Sequence, residues 1–354
     1  MRIALLTYST KPRGGVVHTL SLAEALAAAG QDVTVWTLAR GGDAGFFRAV
    51  APAVRQVLVP FPDIPGETVG DRIMRSISAL REAFRPGAYD VVHAQDCISA
   101  NAVEDCVRTV HHIDHFTTPE LAACHERAIV RPHTHVCVSA AVAGELARGW
   151  GIAAAVIPNG VESERFAEAA RNGDRRWRAR FGPYVLTVGG IEPRKGSMDL
   201  LEAYALLADP DLRLIVAGGE TLFDYRAYRA EWEERAAALG VEPIVLGQVG
   251  HHDLPALVAS AAVFAFPSLK EGFGLAAMEA LAAGVPLVTR DLPVFREVFG
   301  GAARFATGPR GLAEAMRAAL AAPDTRRLAA GRALAARHTW SQAAARHIAL
   351  YDSL

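Results

Sequence analysis

The run Lys270-Glu271-Gly272-Phe273-Gly274-Leu275-Ala276-Ala277-Met278-Glu279 sets two carboxylates eight residues apart around a glycine-rich turn. A strand-like segment, Val263 to Phe266, ends just before it, and an alanine-rich helical run starts near Gly274. That order places unpaired N–H groups of Gly274 and Leu275 at a helix N-terminus, beside the carboxyl end of a strand. Gly272 and Gly274, on either side of Phe273, let a ligand approach the backbone, and the amides with the helix dipole favour a diphosphate. Glu279 lies about one and a half turns further in, too deep to be a first-turn acid favoured by the dipole. A carboxylate there can accept two hydroxyl hydrogen bonds, as a ribose offers them. Glu271, on the loop, is free to face a sugar. A lone glutamate would read as a solvated charge; two of them framing a glycine-rich helix start argue for binding.

A second segment, Val188-Gly189-Gly190-Ile191-Glu192-Pro193-Arg194-Lys195-Gly196, also follows a strand and precedes a helix that begins near Ser197. Arg194 and Lys195 suit a diphosphate leaving group, one as a planar fork and the other as a compact point charge. The spacing is neither that of a Walker A loop nor that of a GxGxxG dinucleotide fingerprint. A third cluster is Thr109-Val110-His111-His112-Ile113-Asp114-His115, at the end of another strand. His111 and His112, which point to opposite faces as adjacent strand residues do, are either active-site candidates or a hydrogen-bonded structural pair. A competing zinc reading gathers His111, His115, His133, His135 and Asp114, but the spacing is loose and no helical HExxH is present.

Positioning these loops requires alternating strands and helices. Segment Arg2–Tyr8 reads as a buried strand, followed by a glycine-bearing turn and a helix with Leu20, Ala23, Leu26 and Ala27 on one stripe, stopped by Gly30. Strands are expected at Asp32–Thr37, Asp90–Ala94, Val107–His111, His135–Val138 and Ala153–Ile157, with a helix at Ala140–Trp150. From Pro158 to Pro183 the pattern reads as turn and polar linker. Alternation then restarts with strands at Tyr184–Val188, Leu212–Ala217, Pro243–Leu246, Val263–Phe266 and Pro286–Thr289. The fold class is therefore α/β, two doubly wound parallel-sheet (Rossmann-like) domains with the site expected in a cleft. Expected limits are 1–165, 166–338 and a C-terminal helix, 339–354, packing back on the first domain.

With 37 Lys and Arg against 38 Asp and Glu, the formal net charge of −1 gives no general attraction to nucleic acid. Apolar runs fall short of the ~18 residues of a spanning helix, and the N-terminus lacks a signal-peptide core. Cys97, Cys106, Cys124 and Cys137 show no CxxC spacing and read as reduced thiols of a cytoplasmic protein. Helical segment Asp71–Arg85 carries Ile73, Ile77, Leu80 and Phe84 on one face and Arg72, Arg75, Arg81 and Arg85 elsewhere. That basic side is either a solvated face or a surface for anionic lipid or a phosphorylated acceptor, so peripheral membrane contact belongs to the reading.

On the Glu271-to-Glu279 signature, together with Gly14-Gly15, Ile157 to Val161 (IPNGV) and Gly189 to Gly196, the chain resembles the retaining, nucleotide-sugar-dependent glycosyltransferases of family 4. The resemblance covers nearly the whole chain and implies the GT-B architecture. It implies a hexose moved from a nucleotide diphosphate sugar to a sugar, lipid or small-molecule acceptor, with no metal or other cofactor. It gives the donor diphosphate to Arg194 and Lys195, the ribose to Glu279 and the donor sugar to Glu271. Gly190 and the Gly272-Phe273-Gly274-Leu275 run would line the donor. The Gly14-Gly15 loop would close over the phosphates, and His111 would lie near the sugar's outer hydroxyls. The chain departs from many relatives in having Gly190 where they carry an arginine, and Gln31 where a histidine is usual. A nucleotide-sugar epimerase or hydrolase of the same architecture, or a non-catalytic nucleotide-sugar-binding protein, are the alternative readings.

Overall fold

A computed structural model describes residues 1–103, 105–114, 116, 118–174, 176–219, 225–322 and 324–354. The chain divides into two compact units, Met1–Gly160 with Trp340–Leu354, and Val161–Thr339. The expected limit at residue 165 falls inside a helix, Ser163–Asn172, that packs on helices of the second unit, so the division lies a few residues earlier.

The first unit begins with β1 (Arg2–Leu6), α1 (Gly14–Ala28), β2 (Asp32–Arg40) and β3 (Val54–Phe61). Next come α2 (Val69–Ala83), β4 (Val91–Ala94), α3 (Cys97–Ala102), β5 (Val107–Val110) and α4 (Pro119–Val130). It continues with β6 (Thr134–Cys137), α5 (Ala140–Trp150) and β7 (Ala155–Val156), and the chain's last helix, α15 (Trp340–Tyr351), returns to it. The strands pair in parallel in the order β3-β2-β1-β4-β5-β6-β7. Ile3 to Leu6 of β1 are fully buried, as a strand covered on both faces must be. Ile3 and Leu5 face Leu20, Leu26 and Val33, while Ala4 and Leu6 face Leu38, Leu80 and Phe84, the alternation expected of a strand.

Three helices of this unit start on side-chain caps. Thr68 accepts from Asp71 N–H, Asp96 from Ser99 N–H at 2.7 Å, and Ser139 from Val142 N–H. Helix α2 buries Ile73, Ile77 and Leu80, and its basic side is partly tied inward: Arg75 pairs with Glu67, and Arg81 donates to the Asn101 carbonyl. The four cysteines are free thiols.

The second unit opens with α6 (Ser163–Asn172), α7 (Arg176–Phe181), β8 (Tyr184–Val188), α8 (Ser197–Leu207) and β9 (Arg213–Ala217). Its middle is α9 (Arg226–Leu239), β10 (Ile244–Gly247), α10 (Leu254–Ala259), β11 (Val263–Phe266) and α11 (Leu275–Ala282). It closes with β12 (Leu287–Arg290), α12 (Pro293–Phe299), β13 (Ala303–Ala306), α13 (Gly308–Ala321) and α14 (Thr325–Arg337). The parallel order is β10-β9-β8-β11-β12-β13. One face buries Val185, Leu214, Trp232, Val263 and Met316; an aromatic group of Phe266, Phe295 and Phe299 packs at ring separations of 5.3 and 5.7 Å.

Three departures from the sequence expectation have physical reasons. The linker expected at 158–183 contains α6 and α7, which bury only Phe166 between them, too little apolar surface to mark them as core elements in a polar, arginine-rich stretch. β3 is an edge strand with Pro60 and exposed polar positions, and β13 is four residues long and includes Arg304. Among the described residues no helix is long and apolar enough to cross a membrane.

Helix α15 packs on α1 and places Ala343, Ala344 and Tyr351 in the first unit's core. The Tyr351 hydroxyl and His93 Nδ1 share a hydrogen bond at 2.6 Å, and His93 Nε2 meets Thr109 Oγ1 at 2.7 Å. Tyr351→Phe leaves a buried ring nitrogen without its partner, a cost of about 1–3 kcal/mol. A lower urea midpoint is expected; an unchanged one would mean that this bond contributes nothing net.

Candidate active site

In each sheet the strand order reverses at one place, between β1 and β4 and between β8 and β11, and ligands of such sheets bind beyond the carboxyl ends there. In the second unit the loops after β8 and β11 are pressed together. Gly196 has φ +65°, and a Cβ on it would stand 2.3 Å from the Pro267 carbonyl oxygen, so no other residue fits. Leu269 N–H donates to the Arg194 carbonyl at 2.8 Å, fixing one loop on the other.

This juxtaposition brings Arg194, Lys195 and Glu271 together. Glu271 Oε1 accepts from Arg194 Nη1 at 3.2 Å and from the Lys195 ammonium, and Ser268 Oγ lies 3.4 Å away. The second nitrogen of the Arg194 fork reaches Glu192 Oε1 at 3.0 Å. Glu271 is thus not the free loop carboxylate expected from sequence: its side chain is 12% exposed, because two cations seventy-odd residues away take it as their counter-charge. Glu192 was not singled out in the sequence, although it sits within the same glycine-bearing loop. Alternation cannot show that its side chain folds inward, to 8% exposure, against Arg194.

A recess beside the cluster is lined by Gly189, Gly190, Lys195, Ser197, Phe266 and Ser268. The Lys195 ammonium stands 5.4 Å from the centre of the Phe266 ring. Helix α11 starts where expected: Gly274 caps it with φ +95°, and a Cβ there would meet Phe266 and Phe299 at 3.0 Å. The Phe273 ring is buried, 5.7 Å from that of His338, so this residue can offer a ligand only its backbone. Glu279 follows on the same helix as Leu275. Burial pushes its carboxyl up to about 8; the Glu162 charge adds to this and Arg165 opposes it. Glu162 and Arg165, at the start of α6, are further residues that sequence reasoning missed, since no pattern links them to α11.

In the first unit Gly14 and Gly15 open α1, and His111 follows β5. A Cβ on Gly15 would stand 3.7 Å from the His111 ring, so the loop and the histidine are neighbours. Burial holds the His111 imidazole well below its ordinary value, with His18 adding to the effect, and its Nε2 is buried with no hydrogen-bond partner. A neutral ring with one unused nitrogen is suited to a ligand hydroxyl rather than to acting as a charged acid. His18, also missed in sequence, lies edge-on to His111 at 4.8 Å, with Nδ1 2.9 Å from Asn159 Oδ1 of the IPNGV segment.

His112 turns instead to Asp114 at 3.1 Å. His135 Nε2 meets the Ile129 carbonyl, and His133 lies near Asp105; His115 is outside the described residues. Among the described residues no His, Cys, Asp or Glu group is arranged to hold a metal, so the zinc reading gains no support.

The family models "Glycosyltransferase Family 4" and "Glycosyl transferases group 1" match residues 12–165 and 178–333. A phosphatidyl-myo-inositol mannosyltransferase of Mycolicibacterium smegmatis is 30% identical, with 100% of this chain and 94% of that one covered. The chain belongs to glycosyltransferase family 4. A D-inositol 3-phosphate glycosyltransferase of Streptomyces scabiei is 31% identical to this glycosyltransferase over 82% of the chain and 76% of its own. Among solved structures, a sucrose-phosphate synthase of Thermosynechococcus elongatus superimposes with a TM-score of 0.81 at 21% identity, covering 100% and 98% of the two chains. An Anabaena protein in complex with UDP and glucose gives 0.75 at 20% identity, with both chains fully covered. The glycosyltransferase has the GT-B fold.

Its Glu279 gives a test of burial. Because the folded pKa, about 8, lies above the ordinary 4.5, this group's contribution to stability is fully present below 4.5 and lost as pH rises through 8. Glu279→Gln is therefore expected to gain on the native chain by a few kcal/mol between about pH 5 and about pH 9. Urea unfolding of both proteins at the two pH values checks this. A constant difference would show that Glu279 is not desolvated.

Proposed function

We propose that this glycosyltransferase moves a hexose, with retention and without a metal, from a nucleoside diphosphate sugar to a sugar, lipid or small-molecule acceptor. The observation that carries this reading is the meeting of Arg194, Lys195 and Glu271 at the carboxyl ends of β8 and β11, beside the start of α11. A fork, a point charge and helix N–H groups converge where a leaving diphosphate gains negative charge, which is where fixed positive potential is most effective. They also supply the counter-charge that a metal gives in other transferases. The mannosyltransferase relatives support a hexose, and the fold neighbour with UDP and glucose supports a nucleotide-sugar donor.

In this reading the acceptor oxygen bonds to the anomeric carbon while that carbon's bond to the phosphate oxygen breaks on the same face. The acceptor proton passes to the departing diphosphate. Glu279 holds the ribose hydroxyls, Glu271 contacts the donor sugar, and His111 offers its unused nitrogen to a sugar hydroxyl. Gly190 and the Gly272–Leu275 backbone line the donor. Glu271 has a second effect: by pairing with Arg194 and Lys195 it neutralises the cations a diphosphate needs. A ligand must draw Lys195 away from it.

Two outcomes follow. Arg194→Ala with Lys195→Ala should lower transfer by about 10²- to 10³-fold, with product anomers and EDTA insensitivity scored by NMR on the native enzyme. Glu271→Gln should bind free nucleoside diphosphate several-fold more tightly while transferring sugar more slowly. Calorimetry with UDP, GDP and ADP reads the first effect and product formation the second. Full transfer in the double variant, an inverted product, or weaker nucleotide binding by Glu271→Gln would overturn the assignment.

A further inference from the structure

At the carboxyl end of the first unit's sheet, Tyr8 is flanked by two guanidinium groups that have no carboxylate partner. Arg13, the residue before Gly14, lies 5.8 Å from the centre of the Tyr8 ring and reaches the Tyr8 hydroxyl. Arg40, the last residue of β2, lies 5.7 Å from the same ring and 4.8 Å from that of Phe61. Arg40 uses two of a guanidinium's five donors, Nε to the Tyr8 carbonyl at 3.1 Å and Nη2 to Ser76 Oγ at 2.8 Å. Arg13 Nε is buried with no hydrogen-bond partner. Among the described residues neither arginine makes an ion pair.

Nearby acids do not fill the gap. Glu67 is held by both Arg75 Nε, at 2.6 Å, and Arg75 Nη2, at 2.7 Å. Asp96 caps α3 and accepts from Tyr8 N–H at 3.0 Å, and burial raises its pKa, which weakens it as a counter-charge. Burial lowers Arg40 to about 10, and the like charges of Arg72 and Arg13 add to that. Half-buried cations forced together without an anion are costly unless an anion arrives. The aromatic faces of Tyr8 and Phe61 hold the guanidinium planes in place and leave their edges for a planar or tetrahedral oxyanion.

We propose that Arg13 and Arg40 form a subsite for an acceptor-borne phosphate, so that the sugar is transferred to an anionic acceptor rather than a neutral one. This rests on the transferase reading above and narrows its acceptor. The phosphate could belong to a water-soluble phosphomonoester or to a lipid headgroup; both present the same oxyanion.

The test titrates inorganic phosphate calorimetrically into the full-length native chain and into Arg40→Gln, Arg13→Gln and Arg55→Gln. Arg55 is an exposed arginine paired with Asp32 and serves as a control for charge loss. Phosphate affinity should fall about tenfold in each of the first two variants and stay within about twofold in the third. Nucleoside diphosphate affinity should be unchanged in Arg40→Gln. Unchanged phosphate affinity in both Arg13→Gln and Arg40→Gln, or a parallel loss of nucleotide affinity, would overturn the subsite. Because the two variants disrupt different elements, misfolding of one leaves the other to decide. Competition then names the source: displacement of phosphate by glucose 6-phosphate supports a soluble acceptor, displacement by phosphatidylglycerol vesicles supports a lipid, and displacement by neither overturns the acceptor assignment. Failure of the transferase reading would look different, as an absence of nucleoside diphosphate binding to the native chain whatever phosphate does.

Discussion

The attraction of Glu271 for Arg194 and Lys195 ties two loops that the chain contributes more than seventy residues apart. Those loops meet because β8 and β11 are neighbours at the place where the sheet's strand order reverses, and because Gly196 lets their backbones touch. The carboxylate balances the two cations, and in the proposed transfer a diphosphate releases it toward the sugar. One group thus ties the loops together and, on that proposal, also serves the transfer. The arrangement requires that Glu271 sit close enough to compete and not so deep that it cannot leave, and its small residual exposure fits both.

Much of the candidate site could be read in the sequence because short spacing encodes it. Glycines before a helix, two glutamates eight apart and an Arg-Lys pair after a strand each carry local chemistry that survives in one dimension. The two parallel sheets could be read for a similar reason: strands buried on both faces form continuous apolar runs, as in β1 and β11. Features that depend on two distant segments were not legible. Glu192 and Glu162 look like ordinary polar residues until the fold sets them against Arg194 and Glu279. His18 lies on a helix read correctly, yet nothing local indicates that its ring meets His111 and Asn159. The edge strands β3 and β13 and the polar helices α6 and α7 escaped because burial, the signal that marks an element, is weakest there.

The first unit buries an unusual amount of imidazole. His18, His93 and His347 are essentially inaccessible, and burial lowers all three below the ordinary histidine range. They are neutral polar packing units, each with at least one ring nitrogen near a neutral oxygen: Asn159 for His18, Tyr351 and Thr109 for His93, and the Ala343 carbonyl for His347. Such pairs fix ring orientation without introducing charge, so the wall behind His111 keeps its shape over the pH range in which an exposed histidine would titrate.

The core of the first unit contains residues from the two ends of the chain, since Ala344 and Tyr351 of α15 pack with Ile3, Leu20 and Val33. On a ribosome this imposes a delay. About 180 residues separate Gly160 from Trp340, which at roughly 5–20 residues per second takes about 10 to 35 s. Throughout that interval the nascent N-terminal unit presents α1 without its covering helix. The second unit, uninterrupted in sequence, can complete its own core first, reversing the usual order in which a growing chain acquires its domains.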